Sequence, residues 1–351
     1  MQHFRFSIIF SIICLGVAAW WGWSGSGIEG AMSALLITGV LAVMEISLSF
    51  DNAVVNASVL KTWDKFWKTL FLTVGLLVAV FGMRLLFPLV IVGVTADMNL
   101  VDVAKLALNN PTEYSAKLLA HHAEIAAFGG MFLLLVFLGF LFDDDKEEHW
   151  FGWLEHKLSK LGKIDAAAIF VALLVLLFSL SLVPSVEQHV ILLSGLWGIL
   201  TYIGVNVLGA LLESGDDEEE TSSGGSEVTK TVVRAGIGGF IYLEVLDASF
   251  SFDGVIGAFA ITSDVVIIML GLAIGAMFVR AITIFLVEKG TLDAYVFLEH
   301  GAHYAIGALA AIMLLSMKFH IPEVVTGLIG VAFIVWAVVD SIRHNKRKAA
   351  H

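Results

Sequence analysis

Ten stretches of about 18 or more mostly apolar residues run through this chain, at about 6–23, 31–60, 66–94, 123–142, 164–183, 187–212, 233–262, 265–288, 301–317 and 323–342. Apolar runs of that length cross a bilayer as helices, because in lipid each backbone N–H and C=O must find its partner within the protein. With 58% hydrophobic and 15% charged residues and a mean hydropathy of +0.90, the chain has too little polar surface for a soluble domain. The expected fold class is an all-α polytopic membrane protein of about ten transmembrane helices. The second and seventh stretches are over-long, which predicts tilt, a break or extension beyond the bilayer.

The first stretch follows Arg5 and ends among Trp20, Trp21 and Trp23, where a signal peptide would carry small residues. It reads as an uncleaved anchor over 1–30. Placing the N-terminus in the cytoplasm puts fifteen Lys and Arg on the inner side and only Lys105, Lys117 and Lys318 outside. The positive-inside rule then predicts a multi-pass protein of a bacterial-type inner membrane with both termini cytoplasmic.

The net charge of −12 excludes nucleic acid as a partner and leaves the bilayer as the expected surroundings. The acidic excess is local. Asp143 to His149 opens a cytoplasmic loop over 143–163 that reads as solvated. The low-complexity stretch over 213–232 reads as a disordered linker between 31–142 with two spacer helices over 164–212 and a second half over 233–342, before a basic tail over 343–351. Cys14 is alone, so no disulfide or thiolate site is built. The segment from Asn99 to Leu119, with Pro111 in its middle, predicts a pair of short interfacial or re-entrant helices. Homo-oligomerisation stays open.

A polar motif occurs twice inside the apolar stretches. Glu45, Ser47, Ser49 and Asp51 align with Asp247, Ser249, Ser251 and Asp253 at a constant offset of 202 residues. Each carboxylate at membrane depth costs about 2.5 to 3.5 kcal/mol on the insertion scale. Gly75 and Arg84 repeat as Gly271 and Arg280 at an offset of 196, and His122 and Gly129 repeat more weakly as His300 and Gly307. Five spans separate the motif-bearing stretches, so the copies run in opposite directions. Inverted-topology repeats of three helices place substrate near the midplane, commonly on broken helices.

Within the first copy, Glu45, Ser49, Asn52 and Asn56 share one helical face, and Asp51 a neighbouring one. In the second, Glu244, Asp247, Ser251 and Gly254 share a face beside Asp253. Unwinding at 49–52 and 251–254 would bring the acids together, and Gly254 makes the second copy the easier one to break. Carboxylate, hydroxyl and amide oxygens are hard donors that suit Mn²⁺, Ca²⁺ or Mg²⁺, and acids in such a site can exchange protons for metal. The plainer alternative is that the serines and asparagines join helices by hydrogen bonds. Arg84 and Arg280 are read either as partners that a cation displaces or as fixed salt bridges. His122 and His300 fall at opposite mouths, either along a pathway or as helix-end residues.

These motifs resemble those of the TerC-like integral membrane family, associated with manganese and tellurite resistance, in a longer branch with an extra N-terminal helix. The resemblance rests on Glu45 to Asn52, on Asp247, Phe250, Ser251 and Asp253, on the Gly-Leu pairs with a downstream Arg, and on Ile321-Pro322 before the last helix. It implies a non-enzymatic exporter of Mn²⁺, with Glu45, Asp51, Asp247 and Asp253 as ligands assisted by Asn52, Ser49 and Ser251. Gly254 departs from the family's Ser and removes one oxygen. A rival reading is a non-transporting scaffold that docks cytoplasmic stress-response proteins through its acidic loops.

Overall fold

The computed structural model describes residues 4–75, 77–143, 146, 149–159, 166–213 and 236–348. The expected linker over 213–232 therefore lies almost wholly outside the described residues. Among those described, the regular elements are all helices, and the protein has the expected all-α polytopic membrane fold. Seven helices among the described residues are long and apolar enough to cross a bilayer. Helix α1 (Arg5–Leu48) is one of these but holds the first of the ten stretches and the start of the second, because the chain kinks at Ser26–Gly27, where Gly27 takes φ +65°. Gly22 backs directly onto Gly30 and Ala34, so the arms fold as a hairpin.

Past Leu48 the chain continues as α2 (Phe50–Lys61), α3 (Lys65–Leu70), two π-helical stretches (Phe71–Gly75 and Val78–Leu86) and α4 (Phe87–Thr95). Helices α5 (Leu100–Asn109) and α6 (Pro111–Leu119) are the expected short pair, each capped at its N-terminus by an asparagine side chain, Asn99 and Asn110. Then come α7 (His122–Phe142), α8 (Gly152–Leu158), α9 (Ala167–Leu180) and α10 (Gln188–Glu213). The second half holds α11 (Ile237–Ile261), α12 (Val265–Glu288), α13 (Thr291–Ala294), α14 (Leu298–Ser316) and α15 (Glu323–Lys348). Helix α9 is shorter than the usual span, and α11 carries three acids, so both fall outside the seven while matching expected stretches.

Close-packed glycines set the helix directions. Gly271 and Gly275 of α12 face Leu41 and Glu45 in the second arm of α1, both at a separation of 230, so the two run parallel. Phe71 packs on Phe240 and Gly75 on Glu244, both at a separation of 169, so the π-helical crossing runs parallel to α11. Helices α11 and α12 are joined by residues 262–264 and pack side by side from Val255 to Phe259 and from Ile267 to Leu272. They are antiparallel, which makes the two motif-bearing helices antiparallel as well. The third repeated pair completes the symmetry: Gly129 of α7 meets Met313 of α14, and Gly307 of α14 meets Phe137 of α7.

That crossing gives a graded test. A Cβ at Gly307 would lie 2.8 Å from the Phe137 ring, whereas one at Gly129 would lie 2.7 Å from the terminal methyl of Met313. A methionine methyl can turn away and a wedged ring cannot. Gly307→Ala is expected to destabilise the bundle by about 1 to 3 kcal/mol, and Gly129→Ala by clearly less, measured by unfolding in mixed micelles. Equal losses would refute this packing.

Candidate functional site

Glu45, near the end of α1, is 1% exposed. Its carboxylate accepts hydrogen bonds from the Ser49 hydroxyl at 3.0 Å and from the Arg84 guanidinium, forming a buried ion pair. Asp247 of α11 accepts from the side-chain amides of Asn52 and Asn56, and its charge also acts on Arg84. Acids from the two inverted copies thus meet in the middle of the bundle with one arginine between them.

The pseudo-twofold relation reaches individual positions. Asn52 and Gly254 are equivalent at the offset of 202, and each faces the acid of the other half. Asn52 donates to Asp247, while a Cβ at Gly254 would lie 2.7 Å from Glu45 Oε2. Gly254 therefore gives room to a carboxylate, and Gly275 packs against the stem of the same glutamate.

The break expected in the second copy is absent, since α11 runs unbroken from Ile237 to Ile261. The kink is in the first copy, at Ser49 (φ −104°, ψ 15°), between α1 and α2. Glycine serves close approach in the second copy, while the kink at Ser49 lets Glu45 and Asn52 aim at different partners.

The structure separates some residues that the motif suggested would act together. Asp51 is buried, accepts from the Asn52 backbone N–H at 3.0 Å, and lines a small cavity with Glu45, Ser49, Gly254 and Thr326, closed by Gly330 of α15. Ser251 is buried and, among the described residues, its hydroxyl has no hydrogen-bond partner. Ser47 and Ser249 donate to carbonyls one turn back, Val43 and Val245, as structural serines do. The side chain of Asp253 lies outside the described residues. Among the described residues, no group of three His, Cys, Asp or Glu could hold a metal ion.

The two arginines rest on the π-helical crossing. Arg84 Nη1 donates to the Ala79 carbonyl at 2.9 Å, and Arg280 Nε donates to the Leu72 carbonyl. A π-helix displaces carbonyls from their usual α-helical partners, and here those oxygens position both guanidiniums. No hydrophobic pattern in the sequence announces this winding.

At the bundle end that carries α8, a second polar cluster went unnoticed in the sequence. Glu155 of α8 is fully buried. Tyr304 donates to Oε1 at 2.9 Å and the Phe151 N–H at 3.2 Å, while His149, His300 and Lys146 stand 3.4, 3.6 and 3.9 Å from Oε2. Burial raises the Glu155 pKa, but His300, the Phe151 N–H, Tyr304 and Lys146 outweigh it and hold the carboxyl below its ordinary value. Burial lowers the Lys146 pKa despite the attraction of Glu155 and Asp143. The loop expected to be solvated is docked by this cluster. Trp150 adds a hydrogen bond to Asp340 at 3.0 Å and ring contacts with Phe297, Tyr304 and Trp336. His300 thus meets Glu155, whereas at the opposite end His121 pairs with Glu124 at 2.9 Å beside His122.

A family model described as a protein of unknown function, DUF475, matches residues 50–348. The chain belongs to the DUF475 family. That match includes Asp51, Asn52, Arg84, Asp247 and Arg280, so most of the central cluster of this DUF475 member lies in the family region, while Glu45 precedes it. No curated protein and no solved structure matches the chain.

Proposed function

We propose that this protein is a transporter of a divalent cation that works by alternating access around Glu45 and Asp247. The observation that carries the reading is the meeting of these two acids, from antiparallel copies of one motif, with Arg84 between them. In the arrangement described, the guanidinium occupies Glu45 as a tethered cation. An incoming divalent ion displaces it and takes oxygens from Glu45, Asp247, Asn52 and Ser49, with Asp51, Asp253 and Ser251 available as the halves rock. Arg84 then returns when the ion leaves, so Glu45 keeps a counter-charge in the empty carrier.

Mn²⁺ is the cargo to which the TerC-like resemblance points, and export follows from the same resemblance, with proton exchange as the counter-movement. The charge distribution supports an inner membrane with both termini cytoplasmic, which places the α8 end inside. Reconstituted vesicles loaded with Mn²⁺ test the reading. Glu45→Gln and Asp247→Asn should each weaken the cation's apparent affinity by roughly 2 to 3 kcal/mol, about thirtyfold to hundredfold. Unchanged Mn²⁺ flux in both correctly inserted variants would sink it.

A further inference from the structure

A cavity of about 40 Å³ lies beside the central pair, between α2, α11, α12 and the π-helical crossing. It has room for one small ion or water. Its wall offers oxygens from Glu244, Asn56, Asp247 and Thr283, and Arg84 and Arg280 also line it. Asn56 is 4% exposed, and among the described residues its Oδ1 has no hydrogen-bond partner and both enclosed carboxylate oxygens of Glu244 have none either.

Several neighbouring donors are committed elsewhere. Arg280 Nε is held by Leu72, and Arg84 Nη1 and Nη2 by Ala79 and Glu45, while Arg84 Nε has no hydrogen-bond partner among the described residues. The Asn56 amide is engaged by Asp247, and the Thr283 hydroxyl donates to Val279 at 3.0 Å. Gly75 forms part of the wall, and a Cβ there would run into Glu244 Oε1. The backbone is therefore cut back to make room for this carboxylate.

Charge selects the occupant. With all three ionised, Glu244 and Asp247 of the wall and Glu45, the partner of Arg84, face two guanidiniums, so the group is one positive charge short. A divalent ion would overshoot that count. The cavity is also one-sided: 202 residues before Glu244 stands Ala42, so the first copy has no equivalent acid.

We propose that this cavity binds one small monovalent cation, Na⁺, through Glu244, Asn56 and Thr283, next to the divalent-cation site, with which it shares Asp247 as a wall. Its role as the ion that drives transport rests on the transport reading above; its binding does not. A positive charge at Glu244 sits beside Asp247, the acid that shares Arg84 with Glu45, so occupancy alters how firmly the arginine is held.

Equilibrium binding of radioactive sodium to the purified full-length protein in detergent tests this directly. The wild type should bind saturably, one ion per chain. Glu244→Gln and, independently, Gly75→Ala should each weaken binding about thirtyfold, with elution profile and helical signal unchanged. Glu244→Asp, which keeps the charge, should fall between. No saturable binding to the wild type overturns the proposal, as does binding unaltered in both variants. Manganese binding that depends on pH through Glu244 without any sodium uptake also overturns it, assigning the cavity to a proton. Sodium bound as predicted by a protein that moves no manganese would leave this site standing and remove the transport reading.

Discussion

Replacing Arg84 with alanine is expected to destabilise the protein by about 3 to 5 kcal/mol, because it strands the Glu45 carboxylate without its counter-charge in the middle of the bundle. Both partners are almost fully buried, at 5% and 1% exposure. The decisive control is the double variant Glu45→Gln with Arg84→Ala. Removing both charges removes the stranded anion, so the double variant should be more stable than Arg84→Ala alone, although it lacks more native groups. Unfolding of all three proteins against wild type in mixed micelles measures the coupling. Additive losses would mean that the pair is not a unit.

The second large effect is expected at the other polar cluster. Glu155→Ala removes the acceptor on which Tyr304, the Phe151 N–H, His149, His300 and Lys146 converge. Hydrogen bonds to a charged group contribute about 1.5 to 3 kcal/mol each, and the buried Lys146 would lose its nearest carboxylate. Segment 149–159 should undock, raising hydrogen exchange in α8 and at the start of α14 by about tenfold or more while leaving the α5 and α6 end unchanged. The pH dependence has a definite sign. The folded-state pKa of Glu155 is depressed, so its contribution is present above the ordinary glutamate value of about 4.3 and lost only as pH falls through the folded pKa below it. Docking should therefore persist from neutral pH into mild acid. Release of α8 between pH 6 and pH 7, roughly the ordinary range of histidine titration, would contradict a latch centred on this carboxylate.

Those two clusters differ in how well the sequence announces them. The central one was legible because two constraints coincide: acids in apolar stretches are rare, and the offset of 202 repeats them. Pairing of Gly75 with Gly271, and of Gly129 with Gly307, also reported real helix crossings, since only small residues permit such close approach. Of the two expected breaks, the one over 49–52 forms and the one over 251–254 does not, because a glycine in a helix marks either a break or a close contact, and the pattern alone does not say which. Gly254 serves contact with Glu45, while the kink falls on Ser49. The Glu155 cluster stayed hidden because a charged loop between spans normally faces water. One signal was available: Trp150, Phe151 and Trp153 are out of place in a solvated loop, and two of those rings pack into the bundle end. The π-helical crossing left no trace, because its winding is decided by which carbonyls the arginines take.

The spacing of the central partners also matters during synthesis. Glu45 and Arg84 are only 39 residues apart, so the acid of the first half meets its counter-charge as soon as the next span follows it out of the ribosome. Asp247 and Asn52 are 195 residues apart, and by the time that acid is made its amide partner is already in the membrane. The half made first brings its own neutralising group, and the half made second finds a receptor waiting. In a nascent chain that elongates from its N-terminus, Glu45 thus waits only one span for its partner, and Asp247 does not wait at all.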